Sequence, residues 1–166
     1  MTMTTPLPKT ADLDALIQTH RTLPGATLPI LHAIQNAWGY IPDEALPRIA
    51  TALNLSRAEV QGVVSFYHHF RRTPPGRHVV QVCRAESCLA MGADALEAHV
   101  RATLGIDVHQ TSADGAVTLE PVYCLGNCAC SPSIRVDDDI HGRMSPRRFD
   151  AVVAELRATS GEGVTA

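Results

Sequence analysis

The chain has 166 residues, of which 45% are apolar and 19% are charged, so it can bury the core of one domain with a small appendage. Its net charge of −3 is too small to favour a nucleic acid or an acidic surface as its partner. It contains no run of about 20 apolar residues, and residues 1–9 show no signal region, so we expect a cytoplasmic protein without membrane insertion.

Residues 11–72 show the apolar spacing of four short amphipathic helices, which together predict a small bundle. Thr10 is a candidate N-cap of the first helix and Thr27 of the second, and Gly39 is expected to end the second. The side chains predicted to face inward in these two helices are Leu13, Leu16, Ile17, Ile30, Leu31, Ile34 and Trp38. Residues 1–10 are expected to form a disordered tail ahead of the bundle.

The third helix is predicted to begin at Pro42 or Asp43 and to run to Asn54. The fourth begins with a capping box, in which Ser56 and Glu59 would satisfy each other's backbone N–H groups. The side chains predicted to face inward in these two helices are Leu46, Ile49, Ala50, Leu53, Val60, Val63, Val64 and Tyr67.

Beyond the Pro-Pro-Gly turn at 74–76, the pattern changes to that of a layered α/β fold. The predicted elements are, in chain order, a strand over 78–82, a helix over 91–104, strands over 106–110, 116–122 and 133–136, and a last helix opening at Ser145-Pro146. The dipeptide Asp114-Gly115 predicts a hairpin between the second and third strands. We therefore expect a second domain over 77–158, followed by a tail over 159–166.

The five cysteines fall in two clusters, each directly after a predicted strand. Cys83 and Cys88 have C-x4-C spacing, whereas Cys124 and Cys128 have C-x3-C spacing with Cys130 two residues further on. If the two strands are neighbours, both loops leave the same edge of the sheet and four thiolates can converge. In a reducing compartment, an odd number of cysteines favours metal or redox chemistry over structural disulfides.

Three interpretations of the cysteines stay open on the residues alone. A structural zinc site could use four thiolates at these spacings, although zinc ribbons mostly use C-x2-C knuckles. A dithiol redox site would show C-x-x-C at the start of a helix, which this sequence lacks. An iron–sulfur cluster needs four thiolates on partly buried loops, which are available here. Cys130 would then be either a small buried neighbour or a replacement for Cys128 as a ligand.

Several other polar residues invite a metal or redox interpretation. Arg84 is either a solvated side chain or a cation that stabilises a reduced cluster and raises its potential. His68 and His69 are adjacent on a predicted helix and cannot chelate one ion together, so a surface or interface role is expected. The three aspartates at 137–139 are expected to form a turn rather than a calcium loop, because no glutamate follows at EF-hand distance.

The motif Cys-Leu-Gly-Asn-Cys at 124–128, with a proline four residues on, resembles the thioredoxin-like 2Fe–2S ferredoxins. The resemblance includes Trp-Gly-Tyr-Ile-Pro at 38–42 and Val-Val-Ser-Phe-Tyr at 63–67, and it spans about residues 12–158. The family includes the 24-kDa-type subunit of NADH:quinone oxidoreductase and its relatives in NAD-dependent formate dehydrogenases and hydrogenases. The resemblance implies an α/β fold, an N-terminal helical bundle followed by a thioredoxin-like domain. It also implies one 2Fe–2S cluster whose ligands are Cys83, Cys88, Cys124 and Cys128.

Within this family, three features are most similar to the gamma subunit of the soluble, molybdenum-dependent, NAD-linked formate dehydrogenase. They are Cys-Arg-Ala-Glu-Ser-Cys at 83–88 running on to Met-Gly, Val122-Tyr123 before the third cysteine, and Phe-Tyr-His-His-Phe at 66–70. This likeness implies an electron-transfer subunit of an NAD-linked oxidoreductase, whose cluster exchanges electrons with FMN on a partner flavoprotein subunit that also binds NAD. A large molybdenum-containing subunit would oxidise formate.

Two alternatives remain beside that interpretation. The chain could be the equivalent subunit of NADH:quinone oxidoreductase or of an NAD-linked hydrogenase, or a zinc-stapled structural subunit without redox function. It has no Gly-x-Gly-x-x-Gly turn and no P-loop, so we expect no nucleotide on this chain and no catalytic residue in it.

Overall fold

The structure is a computed structural model that describes residues 10–159, and the side chains of residues 12–157. The predicted tails, 1–10 and 159–166, lie outside the described residues apart from Thr10 and Thr159, which begin and end helices. The chain divides into two compact units between Pro74 and Pro75. No helix in the described part is long and apolar enough to cross a membrane.

The first unit is a bundle of four helices, α1 (Thr10–His20), α2 (Thr27–Trp38), α3 (Ala45–Leu53) and α4 (Arg57–Phe66). Their apolar faces meet in one core, as the helical spacing of the sequence predicts. The largest fully buried side chains of this core are Leu13, Ile30, Leu31, Ile34, Ile41, Leu46, Ile49 and Val60. The helical part of the predicted fold is thus confirmed.

The caps of α2 and α4 agree with the sequence at two points and differ at one. Gly39 ends α2 in the left-handed conformation, with φ 81°, as predicted. The capping box of α4 is complete, because the N–H of Glu59 donates to Ser56 Oγ at 3.2 Å and the N–H of Ser56 donates to the Glu59 carboxylate at 2.7 Å. Thr27 is not the N-cap of α2, because Ala26 occupies that position and makes no side-chain hydrogen bond there.

Helix α3 is shorter than predicted at its start. The N–H of Ala45 bonds to the carbonyl of Pro42 and the N–H of Leu46 to that of Asp43. These i→i+3 bonds form a tight turn rather than an α-helical turn, so α3 begins after Pro42 and Asp43. It ends one residue before Asn54, which is left-handed with φ 55°.

The second unit is a five-stranded sheet with helices packed on it. Its elements are, in chain order, β1 (His78–Cys83), α5 (Glu86–Ala90), α6 (Ala93–Leu104), β2 (Gln110–Thr111), β3 (Val117–Val122), a 3₁₀ helix (Cys128–Cys130), β4 (Ile134–Val136), β5 (Asp139–His141) and α7 (Pro146–Thr159). The strand order is β2-β3-β1-β4-β5, in which β1 and β3 are parallel and the other neighbours antiparallel. The core side chains include Val80, Val82, Leu96, Leu119, Ile134 and Phe149. The predicted α/β class is confirmed.

The hairpin predicted at Asp114-Gly115 joins β2 to β3. Strand β2 is much shorter than predicted, because it covers Gln110–Thr111 and not residues 106–110. The chain turns at Val108 and His109, and the φ of 64° at His109 is incompatible with an extended strand.

The helix predicted over 91–104 begins at Ala93 as α6, and the short α5 ahead of it has no counterpart among the predicted elements. Asp137 and Asp138 form the turn between β4 and β5, as predicted. The carboxylate of Asp137 accepts a hydrogen bond from the N–H of Val79 at 2.8 Å, so it ties this turn to β1.

Candidate metal centre

The parallel pairing of β1 and β3 positions the cysteines. Cys83 is the last residue of β1 and is aligned with Val122, the last residue of β3. Cys88 lies on α5, Cys124 follows β3 by two residues, and Cys128 begins the 3₁₀ helix. Because β1 and β3 end at the same edge of the sheet, the two cysteine segments leave that edge side by side.

Cys83 and Cys88 form an inner pair. Their exposed fractions are 2% and 3%, and they pack with Ala93 in a small cluster separate from the main core of the unit. The inner pair is therefore shielded from water by the fold itself.

The two inner thiols differ in acidity. Burial raises the pKa of Cys83, and its hydrogen bond with Cys88 raises this pKa further. The N–H groups of Ala85 and Leu125 lower it, but by less. Burial also acts to raise the pKa of Cys88, but hydrogen bonds from Ser131, Cys83 and a backbone N–H outweigh it, so this pKa is lowered. Hydrogen bonding thus favours the thiolate of Cys88 against the effect of burial.

Cys124 and Cys128 form an outer pair, and both are exposed. The negative charge of Cys124 raises the pKa of Cys128, as do burial, a hydrogen bond between the two thiols and the charge of Cys88. Gly126, with φ 73°, makes a tight bend and donates its N–H to Cys124 Sγ at 3.3 Å. The pKa of Cys128 therefore responds to the charge of one cysteine of the inner pair as well as to that of Cys124.

The cysteines are arranged as two pairs. Among the described residues, no group of three or more His, Cys, Asp or Glu side chains surrounds one point as the ligands of a single metal ion would. A tetrahedral zinc ion needs all four ligands around one centre. A 2Fe–2S cluster has two irons and takes two protein ligands on each. The chemistry and pairing of this donor set therefore fit a 2Fe–2S cluster.

Cys130 has a different environment from the four paired cysteines. Its carbonyl accepts hydrogen bonds from the N–H of Arg143 at 2.5 Å and from Ser133 Oγ at 3.2 Å. A Cβ atom added at Gly142 would lie 2.5 Å from Cys130 Cβ, so this segment packs directly on the backbone of Gly142. These contacts favour a packing role for Cys130.

Arg84 is held in an ion pair, which neither interpretation from the sequence included. Its guanidinium donates to the two carboxylate oxygens of Glu97 on α6, both at 2.6 Å. The side chain of Glu97 is only 8% exposed. Arg84 therefore ties the first cysteine segment to α6 with its charge largely balanced.

Sequence reasoning missed Glu97, together with two hydroxyls, Ser87 and Ser131, that lie beside the inner pair. Glu97 had a detectable signal, because it is a charged residue at the helical spacing of the apolar residues Ala93, Leu96 and Val100. A charge on an apolar helix face predicts a buried partner. The serines carried no such signal, since they become neighbours only through the fold.

The segment after α4 also differs from its prediction. His68 and His69 lie in a turn beyond α4 rather than on a helix, and Tyr67 is 42% exposed rather than inward-facing. The ring of His69 lies 5.4 Å from that of His32, measured between centroids, and its carbonyl accepts a hydrogen bond from the side chain of Gln35 at 2.7 Å. These contacts are structural and internal to the helical unit.

The chain is similar to known proteins over most of its length. The family model for thioredoxin-like [2Fe-2S] ferredoxins matches residues 13–157. One subunit of the NADH-quinone oxidoreductase from Pseudomonas aeruginosa is 40% identical over 133 residues, which cover 80% of this chain and 78% of that protein. The HndA subunit of the NADP-reducing hydrogenase from Solidesulfovibrio fructosivorans is 31% identical over 131 residues, covering 79% and 77%.

The chain is also similar in fold to a solved structure. The crystal structure of an NAD⁺-reducing [NiFe]-hydrogenase in its air-oxidised state has a TM-score of 0.67 to this chain, with 28% identity over 84% of it. This chain spans only 24% of that hydrogenase chain.

Proposed function

The chain belongs to the thioredoxin-like [2Fe-2S] ferredoxin family, and from this premise we propose that it is an electron-transfer subunit of an NAD-linked oxidoreductase complex. The membership is consistent with the predicted thioredoxin-like domain. The proposed cluster ligands are the inner pair, Cys83 with Cys88, and the outer pair, Cys124 with Cys128. The observation that supports them is the parallel pairing of β1 and β3, which brings both cysteine segments to one edge of the sheet.

The inner and outer pairs would have different roles toward the cluster. A bound 2Fe–2S cluster supplies one-electron chemistry, which a flavin partner needs in order to divide a two-electron hydride transfer into single steps. The inner pair would shield one side of the cluster from water, and backbone N–H groups would stabilise its sulfurs. The outer pair is exposed and would present the other side to a partner.

Within this function, we propose formate dehydrogenase as the parent complex. The support is the sequence Cys-Arg-Ala-Glu-Ser-Cys at 83–88, Tyr123 before the third cysteine, and the aromatic and histidine run at 66–70. FMN and NAD would then be on a flavoprotein subunit, a large molybdenum-containing subunit would oxidise formate, and the complex would be cytoplasmic. The named relatives favour the alternatives, because they come from NADH-quinone oxidoreductase and from hydrogenases.

The cluster is tested first on the purified chain. The protein should be brown, contain iron and sulfide, and give a one-electron paramagnetic signal on reduction. Cys→Ser at 83, 88, 124 or 128 should abolish or alter that signal, whereas the matched control Cys130→Ser should retain it. A colourless, zinc-loaded protein would contradict the iron–sulfur proposal, and loss of the cluster in Cys130→Ser alone would overturn the ligand assignment.

The parent complex is tested by co-purification through an affinity tag on this chain, followed by metal analysis of the largest partner. Formate dehydrogenase predicts molybdenum in that partner and formate-dependent reduction of NAD⁺ by the complex. A nickel-containing partner, or a complex that reduces quinone, would replace formate dehydrogenase as the parent and leave the electron-transfer function standing.

A further inference from the structure

Two serine hydroxyls, Ser87 and Ser131, join the inner pair to the outer pair. Ser131 is only 8% exposed, and its Oγ lies 3.5 Å from Cys88 Sγ and 2.8 Å from Ser87 Oγ. The same Oγ is 2.9 Å from the carbonyl oxygen of Cys128, which Ser87 Oγ also approaches at 3.3 Å. The two hydroxyls therefore contact the sulfur of one proposed ligand and the backbone of another.

The protons of this group can be counted. While Cys88 is a thiol, its S–H donates to Ser131 Oγ and the Ser131 hydroxyl donates to the Cys128 carbonyl. A cysteine that ligates iron has lost that proton, so its sulfur can only accept. Because a hydroxyl rotates freely, Ser131 can then donate to the sulfur while Ser87 donates to the carbonyl. Two hydroxyl protons then satisfy two acceptors.

We propose that Ser131 sets the reduction potential of the cluster by donating a hydrogen bond to Cys88 Sγ, and that Ser87 frees it to do so by bonding the Cys128 carbonyl. This inference rests on the proposed function. One-electron reduction makes the cluster and its ligands more negative, so a donor to a ligand sulfur favours the reduced form. The burial of Ser131 strengthens the bond, because water does not compete for it.

The charged neighbour does not take this role. Arg84 lies next to Cys83 in the chain, but its Nε and Nη2 donate to the two carboxylate oxygens of Glu97. An ion pair adds little net charge at the site. A neutral donor in direct contact with a ligand sulfur, such as Ser131, is then the stronger local influence on the potential.

The test is a potentiometric titration of the intact, cluster-loaded chain, followed by electron paramagnetic resonance. Ser131→Ala should lower the midpoint potential, by about the 59 mV that corresponds to a tenfold shift in a one-electron equilibrium. Ser131→Thr retains the hydroxyl and should restore the potential. Ser87→Ala should lower it less, because Ser131 then shares one proton between two acceptors, and the double variant should be no lower than Ser131→Ala.

Ser133→Ala is the matched control. Ser133 lies in the same segment, but its Oγ donates to the carbonyl of Cys130 and not to a cysteine sulfur, so its loss should leave the potential unchanged. In D₂O, pulsed paramagnetic resonance of the reduced protein should detect an exchangeable deuteron near the cluster that Ser131→Ala removes and Ser133→Ala retains.

The outcomes separate this inference from the function on which it rests. A wild-type protein without a 2Fe–2S cluster would end both. Loaded variants with the wild-type potential, or an equal shift in Ser133→Ala, would overturn the role of Ser131 alone. If Ser131→Ala does not retain the cluster, the midpoint potentials of Ser87→Ala and Ser131→Thr test the inference instead. A Ser87→Ala potential equal to that of the wild type would overturn it.

Discussion

The helical unit and the α/β unit each contain an arginine–carboxylate pair, and the two pairs differ in burial. In the helical unit, Arg48 donates to both oxygens of Asp14 at 2.8 and 2.9 Å, and the side chains are 37% and 55% exposed. In the α/β unit, Arg84 pairs with Glu97, whose side chain is 8% exposed. The helical unit thus keeps this charge pair at its surface, whereas the α/β unit buries a carboxylate beside its proposed site. Burial of the carboxylate should decide what the loss of each arginine costs.

The largest expected effect is therefore that of Arg84→Ala. It leaves the Glu97 carboxylate buried and unpaired, and should lower the free energy of unfolding of the α/β unit by about 2–4 kcal/mol, since removing one partner of a buried pair is strongly destabilising. The matched variant Arg48→Ala should cost the helical unit less than about 1 kcal/mol. Native-state hydrogen exchange resolves the two units in the full chain.

A second substitution tests the cause of that difference. Adding Glu97→Gln to Arg84→Ala removes the buried charge and should recover part of the lost stability. Equal losses in the two single arginine variants, or no recovery in the double variant, would show that burial of the carboxylate is not what separates the units.

The features that could be predicted from the sequence are those that depend on neighbouring residues in the chain. The capping box of α4, the glycine that ends α2 and the hairpin at Asp114-Gly115 depend on residues close together in the chain, and all three are present. The two cysteine segments at the ends of β1 and β3 could be expected together because strand runs precede both.

What could not be predicted depends on distant partners or on weak local signals. The contact of Ser131 with Cys88 joins residues 43 positions apart, and no local pattern indicates it. Helix α5 has only five residues, too few for a periodic apolar signal. Ala26 is a poor N-cap by sequence and takes that place although Thr27 is beside it, which nothing in the structure explains.

The next largest effect is expected for Gly142→Ala, with the opposite sign from the same change in the helical unit. A Cβ at Gly142 would lie 2.5 Å from Cys130 Cβ and 2.9 Å from the Cys130 carbonyl oxygen, so the variant should lose about 1–3 kcal/mol and displace the segment that carries Cys128. A Cβ at Gly62, in the middle of α4, meets nothing within 4 Å, so Gly62→Ala should gain about 0.5–1 kcal/mol. Hydrogen exchange measures both changes, and a stabilising Gly142→Ala would contradict the close packing around Cys130.

A smaller effect is expected at the cap of α4. Ser56→Ala removes the hydroxyl that accepts the N–H of Glu59 and should cost the helical unit about 1 kcal/mol. Ser65→Ala removes a hydroxyl that donates to the Gly62 carbonyl within the same helix, and should change stability by less than about 0.5 kcal/mol. The fluorescence of Trp38, the only tryptophan of the chain, follows unfolding of this unit directly. Equal losses in the two serine variants would remove the cap as the cause.

The smallest effect is a dependence on pH that the two units should share. The N–H of Ser56 and then its hydroxyl lower the pKa of Glu59, against a slight effect of burial. In the α/β unit, the hydroxyl of Ser112 and then the N–H of Ala116 lower the pKa of Asp114. A carboxyl whose pKa is lower in the folded state stabilises that state above its unfolded pKa, about 4.3 for Glu and 3.9 for Asp. That contribution is lost as the pH falls through the folded pKa.

Glu59→Gln and Asp114→Asn should therefore each be less stable than the wild type at pH 7, and each difference should vanish on acidification below the folded pKa of that carboxyl. Urea unfolding of the full chain at a series of pH values measures both differences. Since both carboxyls bond to groups two or three residues away, the helical unit and the α/β unit should respond alike here. A difference that persisted in acid for only one unit would show that the units differ in more than the burial of their charges. If both units respond alike, the difference in stability between them comes from the buried polar groups near the cysteines and not from exposed carboxyls.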